Sequence, residues 1–197
     1  IMKSKKNLVL VGMMGSGKST IGKLLSEKLN LKFYDIDKII EFNQKMKIAE
    51  IFDQKGENFF RDIEEKTTID YLDLNDAVIS LGGGSFLNEN IRKKAVNKSK
   101  TFWLNWNSLT LISRIKKSKK RPIVQLLNDK QINDLIIERS KTYSKANHKM
   151  NCEKLDNVTL FECALSDRET ESVMTTKDNI EKQINCVVTA IDMIFGD

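Results

Sequence analysis

The stretch Gly12-Met13-Met14-Gly15-Ser16-Gly17-Lys18-Ser19-Thr20 constrains this chain more than any other. It follows the apolar run Leu8-Val9-Leu10-Val11 and precedes a pattern that sets Ile21, Leu24, Leu25 and Leu29 on one helical face. A strand, the spacing G-x-x-x-x-G-K-[ST] and a helix in that order predict a phosphate-binding loop. Glycines let backbone N–H groups turn inward around a phosphate, and the helix N-terminus adds a positive dipole. Lys18 is placed to reach the β- and γ-phosphates, and the Ser19 hydroxyl to meet Mg²⁺. The alternative for such a stretch is a turn that only caps a helix. The flanking strand and helix favour a nucleoside-triphosphate site.

The 197 residues suit one α/β domain with room for a short appendage. No apolar run approaches the length of a membrane span, and the chain enters its first strand by residue 8, so we expect no membrane segment and no signal or transit peptide. Cys152, Cys163 and Cys186 are far apart and odd in number, which predicts reduced thiols in a cytoplasmic protein. A single histidine, His148, leaves no zinc set and no histidine-based triad, and is expected in a loop or strand. The net charge of +6 favours anionic partners. Lysines spread along the chain, with no nucleic-acid motif, predict a solvated surface and no nucleic-acid partner.

Downstream, 31–34 reads as a second strand ending in Asp35-Ile36-Asp37, a carboxylate pair at the edge where open α/β sheets bind ligands. Short helical pieces are expected over 38–44 and 48–54, then a longer helix from Glu57 with Phe60, Ile63, Thr67, Tyr71 and Leu74 inward. A buried strand over 77–81 runs into Gly82-Gly83-Gly84, which lets the backbone approach something closely, expected here to be a ligand rather than a packed element. A helix over 88–98 and a strand over 101–104 follow, then a helix to residue 117 capped by Ser108. The segment 116–122 is strongly basic and holds the only proline, as an exposed loop or a phosphate-closing lid would. A helix around Ile132, Leu135 and Ile136 precedes a last strand over 149–152. The alternation predicts a three-layer α/β fold with a mainly parallel, five-stranded sheet.

On these residues the chain resembles shikimate kinases over about 6–155. The phosphate loop matches the family down to Gly22. Asp35-Ile36-Asp37 stands for its D-x-D, Phe52 to Arg61 for F-x-x-x-G-E-x-x-F-R, Gly82-Gly83-Gly84 for its glycine triplet and Arg121-Pro122 for its lid. The resemblance implies a P-loop kinase fold and ATP-dependent phosphorylation of the shikimate 3-hydroxyl, on the route to chorismate and aromatic amino acids. It implies that Gly12, Met14, Gly15, Ser16, Gly17, Lys18, Ser19 and Thr20 bind nucleotide, with Arg114 against adenine and Arg121 over the phosphates. Asp37 takes the substrate hydroxyls. Arg61 and Arg139 grip the carboxylate, and the Gly83 backbone approaches the ring. Asp35 and Ser19 support Mg²⁺, and Lys18, Arg121 and Asp37 carry the catalysis. The expected partners are shikimate and ATP, bound by a monomer.

Arginine usage agrees. Of 33 basic residues only six are Arg, and four of them are Arg61, Arg114, Arg121 and Arg139, where a planar fork has a use that an ammonium cannot serve. Simpler roles stay open. Arg61 could pair along its helix with Glu57 or Glu65, Arg139 could be surface charge, and Asp37 could cap the following helix. Two other functions compete: another small-metabolite kinase, such as a gluconate kinase, and an inactive nucleotide-binding regulator. The Asp37, Arg61, Gly82–Gly84 and Arg139 set opposes the first, and the presence of Lys18, Asp37 and Arg121 opposes the second.

The end of the chain departs from the family pattern. The kinase-like domain is expected over 1–156 and an atypical segment over 157–176, with an extra strand near Val158 and Leu160. An amphipathic helix over 177–197, apolar at Ile180, Ile184, Val187, Ile191 and Ile194, should pack on the same domain. The extra segment is expected to serve structure rather than the site.

Overall fold

Strand β1 (Leu8–Val11) is buried at all four positions, because both of its faces are covered. Val9 and Val11 belong to the larger apolar cluster, while Leu8 and Leu10 point to a second one with Leu25, Val78 and Phe102. Period-two alternation on a doubly covered strand makes three layers. The computed structural model describes residues 6–117 and 127–152. Arg121, most of the basic loop, the segment 157–176 and the helix expected over 177–197 lie outside the described residues.

The order is β1, α1 (Lys18–Leu29), β2 (Lys32–Asp35), α2 (Ile36–Gln44), α3 (Ile48–Leu72), β3 (Ala77–Ser80), a 3₁₀ turn (Ser85–Leu87), α4 (Glu89–Lys98), β4 (Lys100–Asn105), α5 (Ser108–Lys117), α6 (Asp129–Tyr143) and β5 (His148–Asn151). The strands form one five-stranded sheet in the order β2-β3-β1-β4-β5. Every pairing is parallel, with Leu8 opposite both Val78 and Lys100. Parallel strands β2, β3 and β1 are neighbours, so the turns after them leave from one sheet edge. That edge receives Asp35, the glycine triplet and the phosphate loop. Among the described residues no helix is long and apolar enough to cross a membrane.

Local chemistry explains the joints. Gly22 lets α1 lie directly on β2, since a Cβ there would stand 2.5 Å from the Phe33 ring. Gly56 interrupts α3 with φ 81° and ψ 168°, so the two helical pieces expected on either side of it are both present. Buried Asn7 joins α3 to β3: its amide donates to the Leu74 carbonyl at 2.6 Å and its Oδ1 accepts from Ala77 N–H at 3.1 Å.

Three details differ from expectation. The buried face of α3 is Ile51, Phe60, Glu64, Thr68 and Leu72. It is rotated from the expected face because Glu64 is drawn inside by polar partners, while Leu74 lies past the helix end, 40% exposed. Helix α5 is capped by Asn107, whose Oδ1 accepts from Thr110 N–H at 2.7 Å, rather than by Ser108. The last strand starts at His148, whose ring stacks on Phe102 at 4.9 Å between centroids.

Candidate active site

The phosphate loop connects β1 to α1 through three glycines with positive φ, Gly12 (142°), Gly15 (76°) and Gly17 (85°). Its lysine is folded back over the loop. Lys18 Nζ donates to the carbonyls of Gly12 at 2.9 Å and Met13 at 3.0 Å, with 8% of the residue exposed. The ammonium is thus held at the mouth of the loop. No side chain caps the N-terminus of α1, the end of a helix whose dipole favours an anion. Ser19 is exposed and Thr20 partly buried on that first turn.

Opposite the loop, the other predicted groups converge on the glycine triplet, each glycine against a different one. A Cβ at Gly82 would stand 2.5 Å from Asp37 Oδ1, 2.8 Å from Ser85 Oγ and 2.9 Å from Glu64 Oε1. At Gly84 it would stand 2.7 Å from Arg61 Nη1, and at Gly83 3.2 Å from Met14 N in the phosphate loop. The Gly83 carbonyl accepts from Arg139 Nη1 at 3.3 Å and from the Tyr143 hydroxyl. Asp37, Arg61, Gly83, Arg139 and the phosphate loop therefore share one hub. The close approach is made by the chain itself, by side chains at Gly82 and Gly84 and by the phosphate-loop backbone at Gly83.

Arg61 is bound on both sides along α3. Its Nε and Nη2 reach Glu57 Oε1 at 3.2 and 3.0 Å, and Nη1 reaches Glu64 Oε2 at 2.7 Å. The second partner is Glu64 rather than the expected Glu65, which instead accepts from Asn88 and Asn90. Burial acts to lower the Arg61 pKa, but hydrogen bonds and charge from Glu64 and Glu57 outweigh it and raise the value. Arg139 is partly buried on α6, and its Nε is buried with no hydrogen-bond partner among the described residues. A buried guanidinium N–H in that state is suited to an incoming acceptor. Asp35 caps α2, its Oδ1 accepting from Lys38 N–H at 3.3 Å, which leaves Asp37 in the first turn.

Arg114 lies flat on Trp106, its guanidinium carbon 3.9 Å from the ring centroid, and is 8% exposed. Burial pushes its pKa down to about 10, with Cys152 acting in the opposite direction, and the group stays cationic at neutral pH. The Trp106 N–H donates to the Ser16 carbonyl at 3.2 Å. Glu64, Ser85, Trp106 and Tyr143 were not legible as site residues. Only Glu64 carried a signal, standing three positions after Arg61 on the same helix.

The donor set suits Mg²⁺. No cluster of three His, Cys, Asp or Glu side chains occurs among the described residues. An exposed hydroxyl at Ser19 and a carboxylate at Asp35 with only Oδ1 committed to its cap match a cation that takes most ligands from phosphate and water.

The family model for shikimate kinase matches residues 14–181. A shikimate kinase of Sulfurihydrogenibium is 43% identical over 149 residues, covering 76% of this chain and 89% of that protein. The crystal structure of shikimate kinase from Bacteroides thetaiotaomicron superimposes with a TM-score of 0.71 at 31% identity, over 81% of this chain and 94% of that one. The fold is also shared, at 23% identity and a TM-score of 0.72, with an Acinetobacter baumannii shikimate kinase in complex with shikimate, over 94% of each chain. With the motifs in order, Asp37, Arg61, the glycine triplet and the phosphate loop gathered at one sheet edge, and a family match over most of its length, this chain belongs to the shikimate kinase family.

Proposed function

We propose that this family member transfers the γ-phosphoryl group of ATP to the 3-hydroxyl of shikimate by positioning and charge stabilisation. The observation that carries the reading is the hub at Gly82–Gly84, which sets the Asp37 carboxylate and two guanidinium groups, Arg61 (itself anchored by Glu64) and Arg139, beside the phosphate loop. A ring polyol with a single carboxylate needs that set. Two forked cations hold the acid, and an acceptor holds the reacting hydroxyl. Asp37 orients that hydroxyl and takes its proton as the oxygen attacks the γ-phosphorus. The bond to the β,γ-bridging oxygen breaks, and ADP leaves with the electron pair. Lys18 and the N–H groups of the loop stabilise charge on the transferring group. Arg121 joins them in this reading, by resemblance. Ser19, and Asp35 through water, would hold Mg²⁺, which would supply positive charge against the triphosphate. Arg114 stacks on the base. The reading places the enzyme in the cytoplasm, as a monomer.

The test is ADP release with MgATP across shikimate, gluconate, AMP and no acceptor. The expected result is fast release with shikimate alone. Comparable release with gluconate or AMP would overturn the substrate assignment.

A further inference from the structure

Trp106 stands just past the C-terminal end of β4, buried to 9% exposure, and touches the phosphate loop from behind. Its indole N–H donates to the Ser16 carbonyl at 3.2 Å across ninety residues of chain. In a trans peptide the carbonyl of one residue and the N–H of the next point in opposite directions. A Ser16 carbonyl drawn outward to Trp106 therefore aims the Gly17 N–H inward, to the side where the loop receives phosphate. The indole is held in its turn, because the Arg114 guanidinium lies on its face at 3.9 Å. The loop also lies beside α5, where a Cβ at Gly15 would make ordinary contact, 3.5 Å from both Arg114 Cβ and Ile115 Cγ1. Gly17 has φ 85°, so its own backbone does not hold the peptide plane in this orientation as strongly as a substituted residue would. An outside hydrogen bond supplies that restraint.

We propose that Trp106 is a positioning residue for the phosphates of the nucleotide, acting by pinning the Ser16–Gly17 peptide so that the Gly17 N–H faces the phosphate cradle. This rests on the reading of Gly12–Thr20 as the ATP phosphate site. It assigns Trp106 no contact with the base, the substrate or the reacting atoms.

The decisive variant is Trp106→Phe, which keeps an aromatic face beneath Arg114 and removes the N–H together with the five-membered ring that carries it. Affinity is measured for ATP and for inorganic tripolyphosphate, which has the phosphates and no base. Both dissociation constants should rise by the same factor, about three- to tenfold for one lost hydrogen bond. Shikimate affinity should stay near the parent value, while the melting temperature falls modestly because the smaller ring leaves a void. A tripolyphosphate constant unchanged from the parent would overturn the proposal, whatever happens to ATP. Equal weakening of ATP and shikimate would overturn it too, as a purely structural role. A parent chain that binds neither ATP nor tripolyphosphate would instead defeat the underlying assignment of the loop. A second measurement needs no change at Trp106. The chain has two tryptophans, so Trp103→Phe leaves Trp106 as the single indole, and its emission should shift on adding tripolyphosphate. An emission spectrum that ignores tripolyphosphate while ATP still binds would also overturn the proposal.

Discussion

Glu64 holds Arg61 from beneath: its Oε2 accepts from Arg61 Nη1 at 2.7 Å, while its Oε1 accepts from Ser85 Oγ at 2.6 Å. The carboxylate is 3% exposed and the guanidinium 36%, so one end of the pair is buried and the other faces the cleft. A buried acid with both oxygens occupied is a firm anchor, and it leaves an arginine with its reach already directed. Glu64→Gln keeps the shape and removes the charge. Shikimate KM should rise about tenfold or more, as loss of a charge-assisted bond implies, with ATP KM unchanged. Steady-state kinetics in both substrates checks this. An unchanged shikimate KM would show that Arg61 does not need its anchor.

Arg61→Lys and Arg139→Lys test the fork itself. Each should weaken shikimate binding by about ten- to a hundredfold, because an ammonium cannot make the planar two-point contact. Nucleotide affinity should be spared. Calorimetric titration with each ligand separates the two, and equal losses for both ligands would assign these arginines to structure.

Asp37→Asn is expected to reduce turnover nearly to background while MgATP binding persists. The amide preserves size beside Gly82 but carries no charge to orient and deprotonate the hydroxyl. Turnover at the parent rate would remove Asp37 from the mechanism.

Gly82→Ala should separate the groups that meet there. The added methyl would stand 2.5 Å from Asp37 Oδ1 and under 3.0 Å from both Ser85 Oγ and Glu64 Oε1. We expect a stability loss of about 1–3 kcal/mol from overpacking, together with a lower kcat and a higher shikimate KM. Denaturant melts beside kinetics check both parts. A variant as stable and as active as the parent would show that the three oxygens yield easily.

His148 predicts how stability responds to acid. Its pKa is lowered from 6.5 by burial and then by the Lys100 charge, so the folded state favours the neutral ring. The unfolded chain binds the proton more readily, and stability therefore falls as pH drops through 6.5 toward the lower folded value. Melting temperature across that window should fall less in His148→Gln than in the parent. Identical slopes would show that His148 contributes nothing to the acid response.

The phosphate loop, the alternation of strands and helices, and the order of the motifs were all legible in the chain, because each depends on neighbours in sequence. A β1 of four apolar residues followed by Gly12 to Thr20 admits few local conformations, and Gly56 marks the break in α3 by its backbone freedom alone. Asp37 was marked by its place just past the end of a strand, where open α/β sheets bind ligands, whereas Arg61 and Arg139 were legible as site residues only through the resemblance. Their convergence belongs to the tertiary structure. The parallel order β2-β3-β1 brings Asp37, Gly82–Gly84 and the phosphate loop from three separate turns to one sheet edge. Arg139 is brought to Gly83 from fifty-six residues away. The residues missed share one cause. Trp106 and Tyr143 act by what they touch across the fold, and nothing local marks an indole N–H as a tie to a loop ninety residues back. Glu64 has a local sign in its spacing from Arg61, but its burial and its bond to Ser85 are tertiary. Local spacing determines which backbone can form. Only packing of distant segments determines which polar groups are left inside, and therefore which must find one another.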